Sequence, residues 1–332
     1  MASSTSSRSE EPRPAPPPLL LLTGFLGAGK TTTLNRVLTR QHHRRIGVIV
    51  NELGRIDIDT KLIKARAGDV MELAGGCVCH EVRVQSELWA AIDEVVRRSR
   101  AELVLLETTG IAEPWSIIDG LEALPAGEAP AHAAGVICVV DAEAGAAQLT
   151  RHEEARAQVE AADRILLTKL DLAAPDAVVA LHRALAQRNP GAERASFPST
   201  EEGAAELVPW LLDTRRGARA PRAARHAHAH GPHEHGQLSA VAFSLEADEP
   251  LLAEPLLDVV ARLGDALVRA KGFVNLAGEP RRAFLERAGA RTGLTFDEPW
   301  GERPRRTELV LIGEGLDAAA IRRQLWACRA RG

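Results

Sequence analysis

The sequence predicts an α/β fold, in which a mostly parallel sheet is covered by helices and is followed by a smaller α+β unit. Apolar runs of the length of buried strands alternate with helical patterns from residue 19 to residue 188. Near-continuous apolar strands are typical of parallel sheets that helices cover on both faces. A glycine-rich segment joins the first of these runs to the first helix. The alternation, the apolar strands and the glycine-rich turn together indicate this fold class.

The first unit contains six predicted strands and five predicted helices, with polar turns between most of them. The strands are Leu19–Leu22, Ile46–Val50, Val70–Leu73, Leu103–Leu106, Val136–Val140 and Ile165–Leu167. The helices are Thr32–Arg40, Glu81–Arg98, Trp115–Leu124, Glu143–Ala162 and Asp176–Arg188. Ligands of such sheets bind at the carboxyl ends of the strands, so we expect the functional residues to follow the strands along the chain.

Changes in composition divide the chain into four parts. Residues 1–18 are rich in Ser, Glu and Pro and lack the apolar segment of a signal peptide, which predicts a disordered tail. Residues 19–214 are the α/β unit, and residues 215–236, rich in Arg and His, are typical of a linker. Residues 237–332 are the α+β unit, with strands at Leu238–Leu245, Ala266–Leu276 and Glu308–Ile312 and helices at Leu251–Leu263 and Asp317–Cys328.

The composition excludes several functional classes. The 332 residues carry a net charge of −4, and only 3% are aromatic, so neither a basic surface nor a base-stacking platform for nucleic acid is expected. No apolar run is long enough to span a membrane. Cys77, Cys79, Cys138 and Cys328 are too few and too unevenly spaced for a disulfide scaffold. We therefore expect a soluble protein in the reducing cytoplasm, with no nucleic-acid or membrane partner.

The glycine-rich segment, GFLGAGKT, completes the phosphate-binding pattern G-x-x-x-x-G-K-[ST]. Its glycines let backbone N–H groups point at phosphate oxygens, and the N-terminus of the following helix adds positive potential. Lys30 is expected to reach the β- and γ-phosphates, and Thr31 to place its hydroxyl on Mg²⁺. The sequence therefore predicts a P-loop NTPase, with nucleotide contacts from Gly24, Gly27, Ala28, Gly29, Lys30, Thr31 and Thr32.

Glu107 and Gly110 follow the fourth predicted strand. P-loop proteins place a ligand of Mg²⁺, or of its water, at the end of this strand, which predicts that role for Glu107. A surface acid is the alternative. Gly110 can give its backbone N–H to the γ-phosphate, which would make this loop sensitive to hydrolysis. The predicted catalytic residues are Lys30, Thr31, Glu107 and Gly110.

Thr168, Lys169 and Asp171 belong to the segment Thr-Lys-Leu-Asp after the sixth predicted strand. In guanine-specific P-loop proteins an N/T-K-x-D segment lies here. Its aspartate accepts two hydrogen bonds, from N1–H and the exocyclic amine of guanine, and its lysine stem packs along the base. Adenine presents the wrong donor pattern to that carboxylate. The segment therefore predicts a preference for GTP.

Cys77, Cys79 and His80, between a short predicted strand and a helix, form a candidate metal site. Side chains two positions apart in an extended segment face the same way, and two thiolates with an imidazole suit a tetrahedral Zn²⁺ or Co²⁺. Two buried cysteines and a surface histidine are the alternative. Weaker metal binding is expected from the linker histidines, unless they are only a solvated tract: His226, His228, His230, His233 and His235.

As a set, these motifs resemble those of the CobW-type GTPases, relatives of the urease and hydrogenase nickel-insertion GTPases. The resemblance runs from Leu19 to Cys328 through GFLGAGKTT (Gly24–Thr32), NELGRIDID (Asn51–Asp59), GGCVCH (Gly75–His80), ETTGIAEP (Glu107–Pro114) and TKLD (Thr168–Asp171). The His-rich linker, RAKGF (Arg269–Phe273) and ELVLIG (Glu308–Gly313) extend it into a CobW-like C-terminal domain over residues 237–332. The family's metal motif usually has a third cysteine where this chain has His80, and that change lowers the negative charge and the softness of the site.

The resemblance implies a GTP-hydrolysing metallochaperone with slow intrinsic turnover, which uses GTP and Mg²⁺ and delivers Zn²⁺ or Co²⁺ to a client metalloprotein. It also implies switch roles for Glu52 and Asp59 near Mg²⁺ and the metal segment, with Glu52 at the Mg²⁺ site that Thr31 and Glu107 organise. A nucleotide-dependent homodimer is a further implication. Two other functions stay open on the residues alone. One is a small-molecule kinase or ATPase, and the other is a metal-storage or sensing protein that uses GTP only as a structural ligand.

Overall fold

The first sheet has seven strands, and all of its pairings are parallel. The structure, a computed structural model, describes residues 15–40, 44–52, 70–74, 82–198, 201–215, 238–245, 249–288 and 291–330. The strands of this sheet are β1 (Pro18–Thr23), β2 (Ile46–Glu52), β3 (Val70–Ala74), β4 (Leu103–Glu107), β5 (His132–Asp141), β6 (Arg164–Thr168) and β7 (Glu193–Ser196). Their order is β3-β2-β4-β1-β5-β6-β7, which confirms the predicted α/β class.

Helices cover both faces of this sheet. They are α1 (Lys30–Thr39), α2 (Val82–Ser99), α3 (Pro114–Glu122), α4 (Gly145–Arg151), α5 (Glu153–Ala161), α6 (Pro175–Arg188) and α7 (Glu201–Leu211). Side chains alternate across a strand, so the apolar β1 serves both layers. Leu20 packs in one cluster with Leu34 of α1 and Leu211 of α7. Leu21 packs in another with Ile92 of α2.

The second sheet is antiparallel and has helices on one face. Its strands are β8 (Leu238–Leu245), β9 (Leu267–Val274), β10 (Arg281–Ala288), β11 (Arg291–Pro299) and β12 (Thr307–Glu314), in the order β11-β10-β9-β12-β8. Two helices, α8 (Ala253–Arg262) and α9 (Ala318–Ala327), contribute Leu256 and Leu325 to the core of this unit. A 3₁₀ turn, Gly264–Ala266, leads from α8 into β9. This is the α+β unit that the sequence predicts.

One predicted helix is wrong as a single element. The segment Glu143–Ala162 forms two helices, α4 and α5, because His152 between them is extended, with φ −109° and ψ 126°. The break turns the His152 ring onto Phe25 of the P-loop, where the two rings stack with centroids 4.5 Å apart. Helical periodicity continues through His152 in the sequence, so a contact with a distant residue decides the break.

Four of the α-helices and strands in the described ranges were not predicted: β7, α7, β10 and β11. β7 has only four residues, and α7 contains Pro209. β11 is exposed along nearly its whole length, so its sequence shows no apolar alternation. The predicted strand Val136–Val140 is the core of a longer one, His132–Asp141.

Some expectations concern residues outside the described ranges. Residues 1–14 of the predicted tail and residues 216–236 of the predicted linker are among them. Within the described ranges, no helix has the length and apolar character that crossing a membrane requires.

Candidate functional site

The P-loop lies between β1 and α1, at the carboxyl end of the central strand of the first sheet. Gly24, Gly27 and Gly29 have φ values of 143°, 80° and 96°, a region that glycine adopts more readily than other residues. A Cβ at Gly24 would lie 2.2 Å from the carbonyl oxygen of Val139 in β5. Gly29 directly precedes α1, so the loop leads into the free N–H groups at the helix N-terminus. This backbone is shaped to receive a phosphate group.

Lys30, the first residue of α1, is buried inside this loop with only 6% of its surface exposed. Its Nζ donates to the carbonyl oxygens of Gly24, at 2.7 Å, and Phe25, at 3.4 Å. Burial is the main reason that the pKa of Lys30 falls to about 7, and the positive charge of Arg269 lowers it further. An ammonium group buried in this way is costly without an anion. The donor set and the burial therefore fit a phosphate.

Thr31 and Glu107 meet beside Lys30, although they are distant in the sequence. The Thr31 hydroxyl donates to Glu107 Oε1 at 2.8 Å. Glu107 is 3% exposed, and its Oε2 has no hydrogen-bond partner among the described residues. Burial raises the pKa of Glu107, whereas the charge of Lys30 acts in the opposite direction. A hydroxyl beside a buried carboxylate oxygen fits Mg²⁺, which takes oxygen ligands. Thr32, next along the helix, is exposed.

Gly110 lies in the loop between β4 and α3, in contact with the P-loop. A Cβ at Gly110 would lie 2.4 Å from Leu26 Cδ2. On its other side, the fully buried Gln158 of α5 donates through Nε2 to the carbonyl oxygens of Gly110, at 3.1 Å, and Ala112, at 3.0 Å. Gln158 thus holds the loop whose backbone is predicted to contact the γ-phosphate. Sequence reasoning missed it, because its partners are 48 and 46 positions away.

The predicted base-binding segment is anchored to the P-loop by a side chain. The Thr168 hydroxyl donates to the carbonyl oxygen of Ala28 at 2.7 Å. Lys169 has a positive φ of 57°, and its Nζ lies 2.8 Å from Asp141 Oδ2. The other oxygen of Asp141 accepts backbone N–H groups at the start of the next turn. Asp171 is exposed in the turn after β6, where its carboxylate is open to a base.

The predicted nucleotide residues gather at one edge of the first sheet, at the carboxyl ends of β1, β4 and β6. They are the P-loop residues, Glu107, Gly110, Thr168, Lys169 and Asp171. Asp141 belongs with them and was missed, although it carries the same signal as Glu107. Both are acids that end an apolar strand.

The predicted metal segment lies outside the described residues. β3 ends at Ala74 and α2 begins at Val82, so Cys77, Cys79 and His80 connect the carboxyl end of β3 to α2. Glu52 ends β2, the neighbour of β3, while Asp59 and the linker histidines are not described. Among the residues that are described, no group of three His, Cys, Asp or Glu side chains could hold a metal ion. The two cysteines described, Cys138 and Cys328, are free and buried.

The second sheet packs against the P-loop. Phe25 and Leu26 share one hydrophobic cluster with Phe273 of β9 and with Val310 and Ile312 of β12. The same contact includes His152, stacked on Phe25, whose Nδ1 lies 3.2 Å from Glu314 Oε1 at the end of β12. The candidate nucleotide site therefore has residues of the second sheet beside it.

Two family models match the chain, one over each sheet. The model described as "CobW/HypB/UreG, nucleotide-binding domain" matches residues 18–195. The model described as "Cobalamin synthesis protein cobW C-terminal domain" matches residues 240–329.

Curated relatives match along most of the chain. The zinc chaperone CobW of Pseudomonas aeruginosa is 32% identical over 93% of this chain and 90% of its own length. The zinc chaperone YjiA of Escherichia coli is 31% identical over 91% of this chain and 95% of its own length. Among solved structures, the Zn(II)-bound YjiA GTPase from E. coli matches with a TM-score of 0.43 and 27% identity, over 95% of this chain and 100% of that one.

Proposed function

The chain belongs to the CobW/HypB/UreG family of nucleotide-binding proteins, and from this membership we propose that it is a GTP-hydrolysing metallochaperone. It binds a divalent transition metal, zinc in the first place and cobalt as the alternative, and delivers it to a client protein. The naming of relatives as zinc chaperones across more than nine tenths of the chain supports this proposal.

The observation that carries the GTPase part is the contact between Thr31 and Glu107 next to the buried Lys30. Lys30 gives up its bonds to the loop carbonyls and neutralises charge on the β- and γ-phosphates. Thr31 and Glu107 would hold Mg²⁺ or its waters, and the bound ion would supply further positive charge to the phosphate oxygens. Gly110 donates its backbone N–H to the γ-phosphate. These groups stabilise charge that develops during hydrolysis, which is the main task in phosphoryl transfer.

Guanine selection rests on Asp171, and its loop is held in place by Thr168 and Lys169. Thr168 ties the loop to the P-loop, so the base and the phosphates are bound by one rigid frame. The ion pair between Lys169 and Asp141 keeps the lysine stem along the edge where the base would lie. The carboxylate of Asp171 then accepts both guanine donors.

Metal handling is assigned to Cys77, Cys79 and His80, which follow β3 in the chain. We expect release of the γ-phosphate to change the contacts of Gly110. The metal segment follows β3 in the chain, and β3 pairs with β2, the strand that ends at Glu52. We expect GTP to favour the metal-loaded state that meets the client, and hydrolysis to loosen the metal. A nucleotide-dependent homodimer is a further expectation for the loaded state.

One experiment separates this function from its two alternatives. Hydrolysis of GTP and of ATP is measured with Mg²⁺, and Zn²⁺ affinity is measured by chelator competition with GDP or a non-hydrolysable GTP analogue. We expect turnover of GTP alone and a Zn²⁺ affinity that differs between the nucleotides by roughly 5–150-fold. By linkage, Zn²⁺ must change the ratio of the analogue affinity to the GDP affinity by the same factor. Equal use of ATP would favour a kinase or ATPase, whereas no turnover and one Zn²⁺ affinity would favour storage.

A second experiment addresses the cargo ligands. The double change Cys77→Ser and Cys79→Ser should abolish tight Zn²⁺ binding, and Cys328→Ser, at a buried thiol after α9, is the matched control. Deletion of residues 226–236 should remove only weak sites. Because thiolate and neutral imidazole bind the metal, affinity should fall as the pH drops through about 6. Tight binding that survives the double change would move the cargo site elsewhere.

A further inference from the structure

One face of the second sheet carries two cations toward the P-loop. Arg269, Lys271 and Phe273 alternate along β9, so their side chains share a face. The cross-strand partners of Arg269 and Lys271 on β12 are Ile312 and Val310. Directly opposite residues of an antiparallel pair lie on the same face of a sheet. The two cations are therefore next to the residues of β12 that pack on the P-loop.

That face meets both loops that would surround the γ-phosphate. The hydrophobic cluster that holds Phe273, Val310 and Ile312 also contains Phe25 and Leu26 of the P-loop. It includes Ile111 as well, the residue after Gly110. The P-loop, the Gly110 loop and the cation-bearing face of the second sheet thus converge on one point.

The positive charges of Arg269 and Lys271 both act on Lys30 at this point. Lys271 is 7% exposed, and Arg269 is half-buried. After burial itself, the charge of Arg269 is the largest cause of the lowered pKa of Lys30, and Lys271 acts in the same direction. Arg269 also opposes the effect of burial on the pKa of Glu107, so its charge acts on both charged residues of the phosphate site. A polyanion placed between them would relieve this repulsion.

We propose that the second sheet supplies Arg269 to the triphosphate in cis, where its guanidinium binds the γ-phosphate oxygens and Lys271 adds charge behind it. The proposal rests on the proposed GTPase function and adds a residue to its site. A guanidinium presents two parallel N–H donors to phosphate oxygens, a geometry that an ammonium cannot match. Because GDP has no γ-phosphate, hydrolysis removes the contact between the second sheet and the nucleotide. Hydrolysis would thereby loosen the contact of β9 and β12 with the P-loop.

The test compares Arg269→Ala, Arg269→Gln and Arg269→Lys with Arg281→Ala in the full chain. Arg281 is an exposed arginine of the same sheet, paired with Glu279, and serves as the control. Affinities for GDP and for a non-hydrolysable GTP analogue are measured in Mg²⁺, together with GTP turnover and the melting temperature. Loss of Arg269 should lower the affinity for the GTP analogue by about tenfold or more, while the affinity for GDP stays within about twofold of wild type. Turnover should fall by at least about tenfold, with Arg269→Lys in between.

Several outcomes would overturn the proposal. A structural role would lower the melting temperature and weaken GDP and the analogue equally. If neither affinity changes, or if Arg269→Ala keeps full activity, Arg269 does not belong to the nucleotide site. Arg269→Gln keeps most of the side-chain length, so it carries the comparison if the alanine variant does not fold. A wild-type chain that binds the analogue without hydrolysing GTP would contradict the proposed GTPase activity alone, because the affinity comparison still decides the role of Arg269. A wild-type chain that binds neither nucleotide would contradict both.

Discussion

Glu107 brings a carboxylate to a place that water hardly reaches, and one of its oxygens has no hydrogen-bond partner among the described residues. Leaving a buried acceptor unpaired costs about 1–3 kcal/mol, and more when it is charged. The site therefore carries a local cost that a metal ion would offset. A buried charged group without a hydrogen-bond partner therefore indicates a ligand site.

Replacing Glu107 by Gln tests this at the level of one charge. The amide oxygen can still accept from Thr31, but the negative charge that would face Mg²⁺ is removed. We expect GTP affinity in Mg²⁺ to fall by about 1.5–3 kcal/mol, the usual value of a hydrogen bond to a charged group. In EDTA we expect no loss, because a negative charge next to the phosphates is gone. Calorimetric titration under both conditions, with the exposed Glu102→Gln as the control, checks this. An equal loss in EDTA would speak against a metal role.

Replacing Asp171 by Asn addresses base selection. The amide cannot accept from both guanine donors, so we expect GTP affinity to fall by about 2–4 kcal/mol while the phosphate contacts are unaffected. Asp176→Asn, an exposed acid in the first turn of α6, is the control. Unchanged GTP binding by the Asp171 variant would remove the basis of the guanine assignment.

Residues within a local pattern could be predicted, and residues joined only by the fold could not. Lys30, Thr31 and Glu107 follow from the spacing of two motifs, and the structure brings the hydroxyl of Thr31 to 2.8 Å from the carboxylate. Asp141 meets Lys169 only because β5 and β6 are neighbours with parallel register. Gln158 reaches its carbonyl partners from a different helix, α5, so no spacing in the sequence predicts this contact.

At the scale of elements, the loop after β4 is the part that the structure holds most specifically. It touches the P-loop through Gly110 and is bonded by Gln158 of α5. Because one side chain makes both hydrogen bonds, a movement of this loop away from Gln158 would break them together. This arrangement suits a segment that must respond to a phosphate.

Replacing Gln158 by Leu removes both donors and leaves two buried carbonyl oxygens unpaired. We expect the free energy of unfolding to fall by about 1–3 kcal/mol. Turnover of GTP should also fall, while GDP affinity is retained, because GDP makes no contact that depends on Gly110. Urea unfolding and steady-state hydrolysis measure the two effects, and the exposed Gln324→Leu of α9 is the control. Normal turnover with reduced stability would limit Gln158 to a structural role.

Gly272 in β9 tests how closely the strands of the second sheet approach. A Cβ at this position would lie 1.9 Å from the carbonyl oxygen of Glu308 in β12, so alanine must push the two strands apart. We expect Gly272→Ala to destabilise the fold by about 1–3 kcal/mol or more. In β11 a Cβ at Gly293 would meet no atom nearer than 4.0 Å, so Gly293→Ala should cause little change. Thermal unfolding of both variants checks this, and equal melting temperatures would contradict the packing argument.

The elements that the sequence predicted are those whose apolar pattern is complete within the element. β1 and β4 are buried along most or all of their length, and their apolar runs in the sequence predicted them. β11 has no buried face, and its place depends on pairing with β10. The division of the predicted helix at His152 depends on Phe25, more than a hundred positions away, so helical periodicity could not reveal it.

At the scale of the whole molecule, His152 joins the two halves. It stacks on the P-loop and faces Glu314 of the second sheet. Burial lowers its pKa below the ordinary 6.5, and Glu314 and Glu154 oppose this, while Arg151 and Arg156 act with burial. Over the pH range between these two pKa values, His152 is protonated in the unfolded chain and neutral in the folded chain. The stability from this group is present above about pH 6.5 and is lost as the pH falls below that value.

We therefore expect the parent protein to lose stability between about pH 7.5 and about pH 5.5, by at most about 1.4 kcal/mol per pH unit from this group. His152→Phe keeps an aromatic ring against Phe25 but cannot titrate, so its loss over the same range should be smaller. The matched control is His182→Phe at an exposed position of α6, which should retain the parent's pH dependence. Urea unfolding at the two pH values gives the comparison, and parallel losses in all three proteins would contradict it.

The position of β12 between β9 and β8 also sets the order in which the molecule can be completed during synthesis. β10 can pair with β9 and β11 as these strands emerge from the ribosome, but β8 has no neighbour in the sheet until β12 follows. Val310 and Ile312 of that late strand share the cluster with Phe25 and Leu26, so this apolar side of the P-loop is uncovered in the nascent chain. Nascent domains tend to fold from the N-terminus onward, and exposed apolar surface in such species favours aggregation. A nucleotide that binds the first sheet early would stabilise its folded state while this surface waits for β12, so the substrate would then help its own protein to fold.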